Sequence, residues 1–252
     1  MLPGADRTNL ICSARRGRLP EMHVNRMLDI LEYAMCRVGI RRFATWDDAL
    51  GSSPVRLYAG KLSRDAAQYA THWGITPYYA SRRNIWFDVS KPYPIPDGSV
   101  DVYQSEDVFE HVEWNAIVPL FDEIHRVLKS GGLFRLSVPD YHGDICRTRT
   151  QLDANGELLF DPGGGGRLEN GRVVGGGHVW FPTIERVREL FDRSRFGSDG
   201  EVHYLQYTEA DGTSVMNPID YSLGHVQRTA ENDPRVADRP RPISIVVDAV
   251  KR

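Results

Sequence analysis

Residues 100–140 constrain the fold more tightly than any other part of this chain. VDVYQ has a strand's composition. From about Asn115 to Lys129, Ile117, Val118, Phe121, Ile124, Val127 and Leu128 recur on one helical face, and LFRLSVPD (133–140) is a second apolar run. Such a succession spells strand, helix, strand, the unit from which parallel sheets are built. Pro119 is tolerable if it lies in or near the first helical turn. Lys129 suits the negative carboxyl end of the helix, and Gly131-Gly132 can supply the left-handed residue that closes it.

The flanks repeat the alternation. PVRLYAG (54–60) and RNIWFDVS (83–90) read as strands, with SRDAAQYATHW as a short helix between them. Pro92, Pro94, Pro96 and Asp97-Gly98 make a turn. An amphipathic helix is expected from about 21 to 38, stopped by Gly39, and another over TIERVRELFDRSRF, with Thr183 as N-cap and Arg186 on the exposed side. EVHYLQYTEA and PISIVVDAVK are the last strands, separated by a polar excursion over 211–242. Residues 141–182 hold DPGGGGRLENGRVVGGGHVW, too glycine-rich for a regular element, and read as a substrate loop or lid insertion with glycine hinges. With 252 residues, 41% of them hydrophobic, the chain is expected to be a single domain, with residues 1–50 as a helical extension.

Thirty-one basic residues against 34 acidic ones give a net charge of -3, which leaves no electrostatic footprint for nucleic acid and no polybasic membrane anchor. The run Arg15–Arg18 reads as a solvated arm. Cys12, Cys36 and Cys146 lack the spacing of a zinc site or a disulfide framework. With no membrane-length apolar run and no signal-peptide pattern, a cytoplasmic location is expected.

In an open α/β sheet, ligands bind beyond the carboxyl ends of the strands. Three such ends are polar here: Gly60-Lys61, Asp88 and Ser105-Glu106-Asp107. A carboxylate there can accept from an amine or a ribose hydroxyl, and a glycine lets a ligand approach the backbone. The same acids could equally cap neighbouring loops.

The segment NIWFDVSKPYPIPDGSVDVYQSEDVFEHVEWNAIVPLFDEIHRVLKSGGLFRLSVPDY resembles the centre of class I S-adenosylmethionine-dependent methyltransferases. The resemblance is to their small-molecule group, which has an Asp, a Pro-rich Asp-Gly-Ser turn, Glu-His after the fourth strand, and Arg-Val-Leu-Lys before a glycine pair. It implies an α/β, Rossmann-like methyltransferase fold with a mostly parallel seven-stranded sheet, an antiparallel last strand and the Gly-rich insertion. It also implies S-adenosylmethionine as cofactor, with Asp88 accepting from the adenine amine and Val89 beside the ring. Ser105 and Glu106 would meet the methionyl part, and Gly60 and Lys61 would lie at the first motif. Two departures accompany it. That motif is reduced to LYAGKLS, and the acid that normally holds the ribose is absent from HWGITPYYAS, so Lys61, Tyr58, Thr76 or Tyr79 would substitute.

His111, His178 and His142 are the candidate bases for the acceptor, and Tyr141, Asp144, Trp180, Asp220, Tyr221 and His225 the candidate substrate contacts. Asp140, His142 and Asp144 alternate and with His178 could hold a divalent metal, but loop residues at a pocket rim are the simpler reading, and no metal is expected. The function expected is methyl transfer to oxygen or nitrogen of a small polar acceptor, a sugar or other biosynthetic intermediate, with a homodimer allowed. A catalytically silent binding module or partner subunit is the competing reading, supported by the reduced first motif.

Overall fold

The computed structural model describes residues 19–39, 42–63 and 66–252, with backbone alone at 19–26 and 29. The Arg15–Arg18 run and Cys12 lie outside those residues. Five strands run parallel: β1 (Arg56–Ala59), β2 (Trp73–Thr76), β3 (Asn84–Trp86), β4 (Val100–Glu106) and β5 (Leu128–Pro139). The helices before β5 are α1 (Leu19–Arg37), α2 (Trp46–Leu50) and α3 (Trp114–Val127). The expected helix between β1 and β2 is a single 3-10 turn, Ala67–Tyr69, among the described residues. After β5 the chain makes α4 (Asp144–Arg149), then the two-stranded pairs β6 (Gln151–Leu152) with β7 (Leu158–Phe160), and β8 (Arg167–Glu169) with β9 (Arg172–Val174). The glycine-rich insertion is therefore more regular than expected. Then follow α5 (Ile184–Arg193), α6 (Arg195–Asp199), β10 (Gly200–Thr208), β11 (Ser214–Met216) and β12 (Ser244–Lys251).

The main sheet runs β11-β10-β12-β5-β4-β1-β2-β3, and β12 is antiparallel to both its neighbours. It has eight strands rather than the expected seven. The first part of the polar excursion turns back at Asp211-Gly212, with Gly212 at φ 87°, and pairs Gln206 with Met216. No described helix is long and apolar enough to cross a membrane.

One face of the sheet is apolar. Ile117, Phe121 and Ile124 of α3 and Val187 and Phe191 of α5 are buried in one core with Phe134, Leu136, Ile245 and Val247. Helix α3 ends at Val127, capped by Leu128 short of the glycine pair, and Lys129 pairs with Asp101 (2.7 Å) instead of the helix terminus. That terminus is met by Lys251, whose Nζ donates to the Leu128 carbonyl at 2.8 Å.

Strand side chains alternate between faces, and the alternating partners here are polar: Gln104 and Glu106 on β4, Arg135 on β5, Gln206 on β10 and Asp248 on β12, all buried. An irregular strap, residues 217–243, uses them. Arg135 pairs with Asp248 through two 2.7 Å bonds and donates to the Asp220 carbonyl at 3.0 Å and to that of Gly224. Gln104 Nε2 donates to the His225 carbonyl (2.5 Å), and Gln206 accepts from Ala230 N (3.0 Å) and donates to Glu231 (2.8 Å). Ile219 and Val226 pack on Val246 beside these ties.

Candidate active site

The loop after β1 departs from Gly60, whose φ of 122° favours glycine. Asn84 of β3 pins it, accepting from Leu62 N (2.7 Å) and donating to the Leu62 carbonyl (3.0 Å). Lys61 extends over the Tyr79 ring, Nζ 4.4 Å from its centre, so two of the suggested substitutes meet at the ends of β1 and β2. Tyr58 stacks with Tyr69 at 5.0 Å, and Thr76 is buried. Asp88 is exposed just beyond β3, its Oδ1 accepting from Ser90 N (3.0 Å) and Oγ (2.8 Å), while Val89 is buried in the core.

Glu106 ends β4 and is engaged by the protein itself. It accepts from Tyr69 Oη (2.5 Å), Gln104 Nε2 (2.9 Å) and the Gln227 amide of the strap (2.9 Å). Burial pushes its carboxyl up to about 7 despite these donors. Ser105 is fully buried, its Oγ lacking a hydrogen-bond partner among the described residues.

The backbone turns at Asp107, left-handed with φ 53°, a conformation Asp tolerates better than branched residues. Asp107 Oδ2 meets Arg228 of the strap at 2.8 Å. The 3-10 turn Phe109–His111 follows and receives the end of the insertion. Val179 N donates to the Glu110 carbonyl (2.9 Å), Trp180 Nε1 to that of Phe109 (2.9 Å), and His111 Nδ1 to that of Gly177 (3.1 Å). The glycines permit this fit. A Cβ on Gly164 would stand 2.6 Å from the His178 ring, and one on Gly177 2.5 Å from the Gly165 carbonyl. Both are held in close packing here.

The rings of His111 and His178 stand 4.8 Å apart, edge to face. His178 Nδ1 lies 2.5 Å from Tyr141 Oη, which donates to Asp161 Oδ2 at 2.6 Å. The phenol can donate to Asp161 only while it accepts the Nδ1 proton of His178. Arg149 holds Asp161 from behind (2.6 Å) and, with Tyr141, keeps its carboxyl low against the effect of burial. Burial lowers both imidazoles, His178 to about 3, so both are neutral near pH 7. Burial, reinforced by Asp107, raises Glu110 well above the usual range.

The other candidates stand elsewhere. His142 pairs with Glu185 at 2.9 Å, and Asp144 with Arg241 at 3.0 Å. Asp140 accepts from Thr208 N and His142 N. The alternating DYHGD set is thus dispersed among three partners and does not converge with His178. Trp180 is a buried anchor, and Tyr141 stands behind His178 as part of a relay rather than as a pocket wall. Asp220, Tyr221 and His225 belong to the strap. Tyr221 donates to Glu231, Asp220 binds its own Ser222, and His225 lies 5.6 Å from the Tyr69 ring. Asp161 and Arg149 were absent from the sequence candidates, and Glu110 stood there only as the first half of the Glu-His pair that the resemblance matches.

A family model described as "Methyltransferase domain" matches residues 49–136. No curated protein sequence matches. The chain is similar to the structure of an S-adenosylmethionine-dependent methyltransferase from Archaeoglobus fulgidus, with 12% identity, 92% of this chain and 100% of that one covered, and a TM-score of 0.45. A putative S-adenosylmethionine-dependent methyltransferase from Listeria monocytogenes is similar at 13% identity, 78% and 90% coverage, and a TM-score of 0.44. So is the 1,6-didemethyltoxoflavin-N1-methyltransferase of Burkholderia thailandensis, at 12%, 96% and 93%, and 0.42. The segment that matches the methyltransferase-domain model runs from α2 through β4 into β5 and includes the strand ends described above.

Proposed function

We propose that this enzyme moves the methyl group of S-adenosylmethionine to oxygen or nitrogen of a small polar acceptor, with a hydroxyl-bearing compound such as a sugar the favoured class. The observation that carries the acceptor's placing is the His111–His178 ring pair beside buried Glu110, just beyond the carboxyl end of β4. Polar groups close a sheet end there, and a third of the His111 side chain is exposed. Transfer is an in-line displacement: the carbon–sulfur pair stays on sulfur, a bond forms from the acceptor atom to carbon, and the acceptor's proton leaves to a neutral imidazole or to water. On this reading the cofactor lies across Gly60, Lys61, Asp88 and Val89, with Ser105 and Glu106 behind its methionyl end. Asp88 keeps its carboxylate in solvent, where an adenine amine can reach it.

Calorimetry with S-adenosylmethionine and S-adenosylhomocysteine tests this reading. Asp88→Ala should weaken binding by roughly 1–3 kcal/mol. Unchanged affinity in a folded variant would remove Asp88 from the site, and a folded wild type that binds neither compound would restore the silent-module reading.

A further inference from the structure

Glu110, His111 and His178 bring one ligand atom each to within 4.8 Å of one another. Glu110 is fully buried, yet among the described residues neither of its carboxylate oxygens has a hydrogen-bond partner in another residue. Leaving a buried carboxyl so is unfavourable. The two imidazoles do not relieve it. His111 gives its Nδ1 proton to the Gly177 carbonyl, which leaves a lone pair on Nε2, 3.9 Å from Glu110 Oε1. His178 gives its Nδ1 proton to Tyr141, which leaves a lone pair on Nε2, 3.6 Å from the same oxygen. Three electron-pair donors converge, with no proton donor among them close enough to bond.

A cation resolves that arrangement. Two imidazole nitrogens and a carboxylate are a donor set suited to first-row divalent transition ions rather than to calcium or magnesium. Donors about 2.1 Å from one tetrahedral ion stand about 3.4 Å apart, so the 3.6 and 3.9 Å imidazole–carboxylate separations need little closure, and the widest pair, within 4.8 Å, draws in further on binding. Each imidazole also has the second hydrogen bond that orients metal-binding histidines, His111 from a carbonyl and His178 from the Tyr141–Asp161–Arg149 relay. His111, the exposed member, leaves one side open to water or an acceptor.

We propose that Glu110, His111 and His178 form a binding site for a divalent first-row transition-metal ion on the acceptor side of the sheet. The site deepens the methyl-transfer reading and rests on its placing of the acceptor: a hydroxyl coordinated there gives its proton to water more readily.

Untagged full-length protein, stripped with EDTA and dialysed, is titrated with Co2+ by visible absorption and calorimetry, with Zn2+ as competitor and Mg2+ as comparison. S-adenosylmethionine binding is measured on the same samples. One equivalent of Co2+ should bind with ligand-field bands and be displaced by Zn2+. Glu110→Gln and His111→Ala should each weaken Co2+ about tenfold or more, with S-adenosylmethionine binding retained. His142→Ala, whose imidazole pairs with Glu185, should bind Co2+ as the wild type does. His111→Ala, at an exposed position, keeps the test decisive if Glu110→Gln does not fold. Wild type that binds S-adenosylmethionine but no Co2+, or Co2+ binding that every variant keeps, overturns the metal site and leaves methyl transfer standing. Wild type that takes Co2+ here but no S-adenosylmethionine fails the methyl-transfer reading alone.

Discussion

Tyr141 serves two buried partners at once, taking the Nδ1 proton of His178 and giving its own to Asp161. Tyr141→Phe strips one bond from each. Asp161 keeps Arg149, but His178 keeps nothing at Nδ1, and the expected loss is about 1–3 kcal/mol in urea unfolding; an unchanged midpoint would mean that water replaces the phenol. Glu106 makes a pH-dependent prediction. Its carboxyl titrates near 7 in the fold and near 4.5 in the unfolded chain, chiefly because it is buried. Between those values the folded state holds the extra proton, so this group's contribution is full below about pH 4.5 and is lost as the pH rises through 7. The stability of wild type relative to Glu106→Gln should therefore fall by about 3 kcal/mol from pH 4 to pH 8. A difference that stays flat across that range would place the titration elsewhere.

The strap and the insertion are elements without regular structure of their own over much of their length, and each is fixed by side chains from regular ones. Arg135 holds the strap by two carbonyls while paired with Asp248. Arg135→Met leaves Asp248 in a mostly buried place without its cation, and should cost about 3–5 kcal/mol. Adding Asp248→Leu should recover much of that, and failure to recover would mean that the strap's carbonyls dominate. Here also lies the boundary of what the sequence made legible. The run β4, α3, β5 was readable because its periods are local: Phe121 and Ile124 recur within one helix. Glu106 was readable as an acid at a strand end, but its partner, the Gln227 amide, lies 121 residues further on. His178 was a lone loop histidine until Gly164 packed on it and Gly177 met His111. Strand β11 escaped because three residues of a polar stretch carry no period, although Asp211-Gly212 is the turn signal that folds them back.

At the scale of the whole molecule, α1 lies against the sheet end where β1 and β2 finish. Tyr33 packs near Phe43 and Tyr79, the ring that carries Lys61, and Glu32 accepts from Arg82 N at 2.9 Å. Among its described side chains only Glu32 and Cys36 are buried, while Met27 is 63% and Ile30 62% exposed. Such an element opens at low cost. Amide hydrogen exchange over residues 27–37 should slow when S-adenosylhomocysteine binds, and equal exchange in the free and bound protein would separate α1 from the cofactor. The strap has a different consequence. Because β4, β5, β10 and β12 all supply its ties, its shape cannot drift without disturbing four strands, and variation in this wall is costly to the fold. Among the described residues, the small hairpins β6-β7 and β8-β9 pair only with themselves. On the proposed reading, a change of acceptor has its freedom in those hairpins, while the strap stays tied to the sheet that gives the chain its stability.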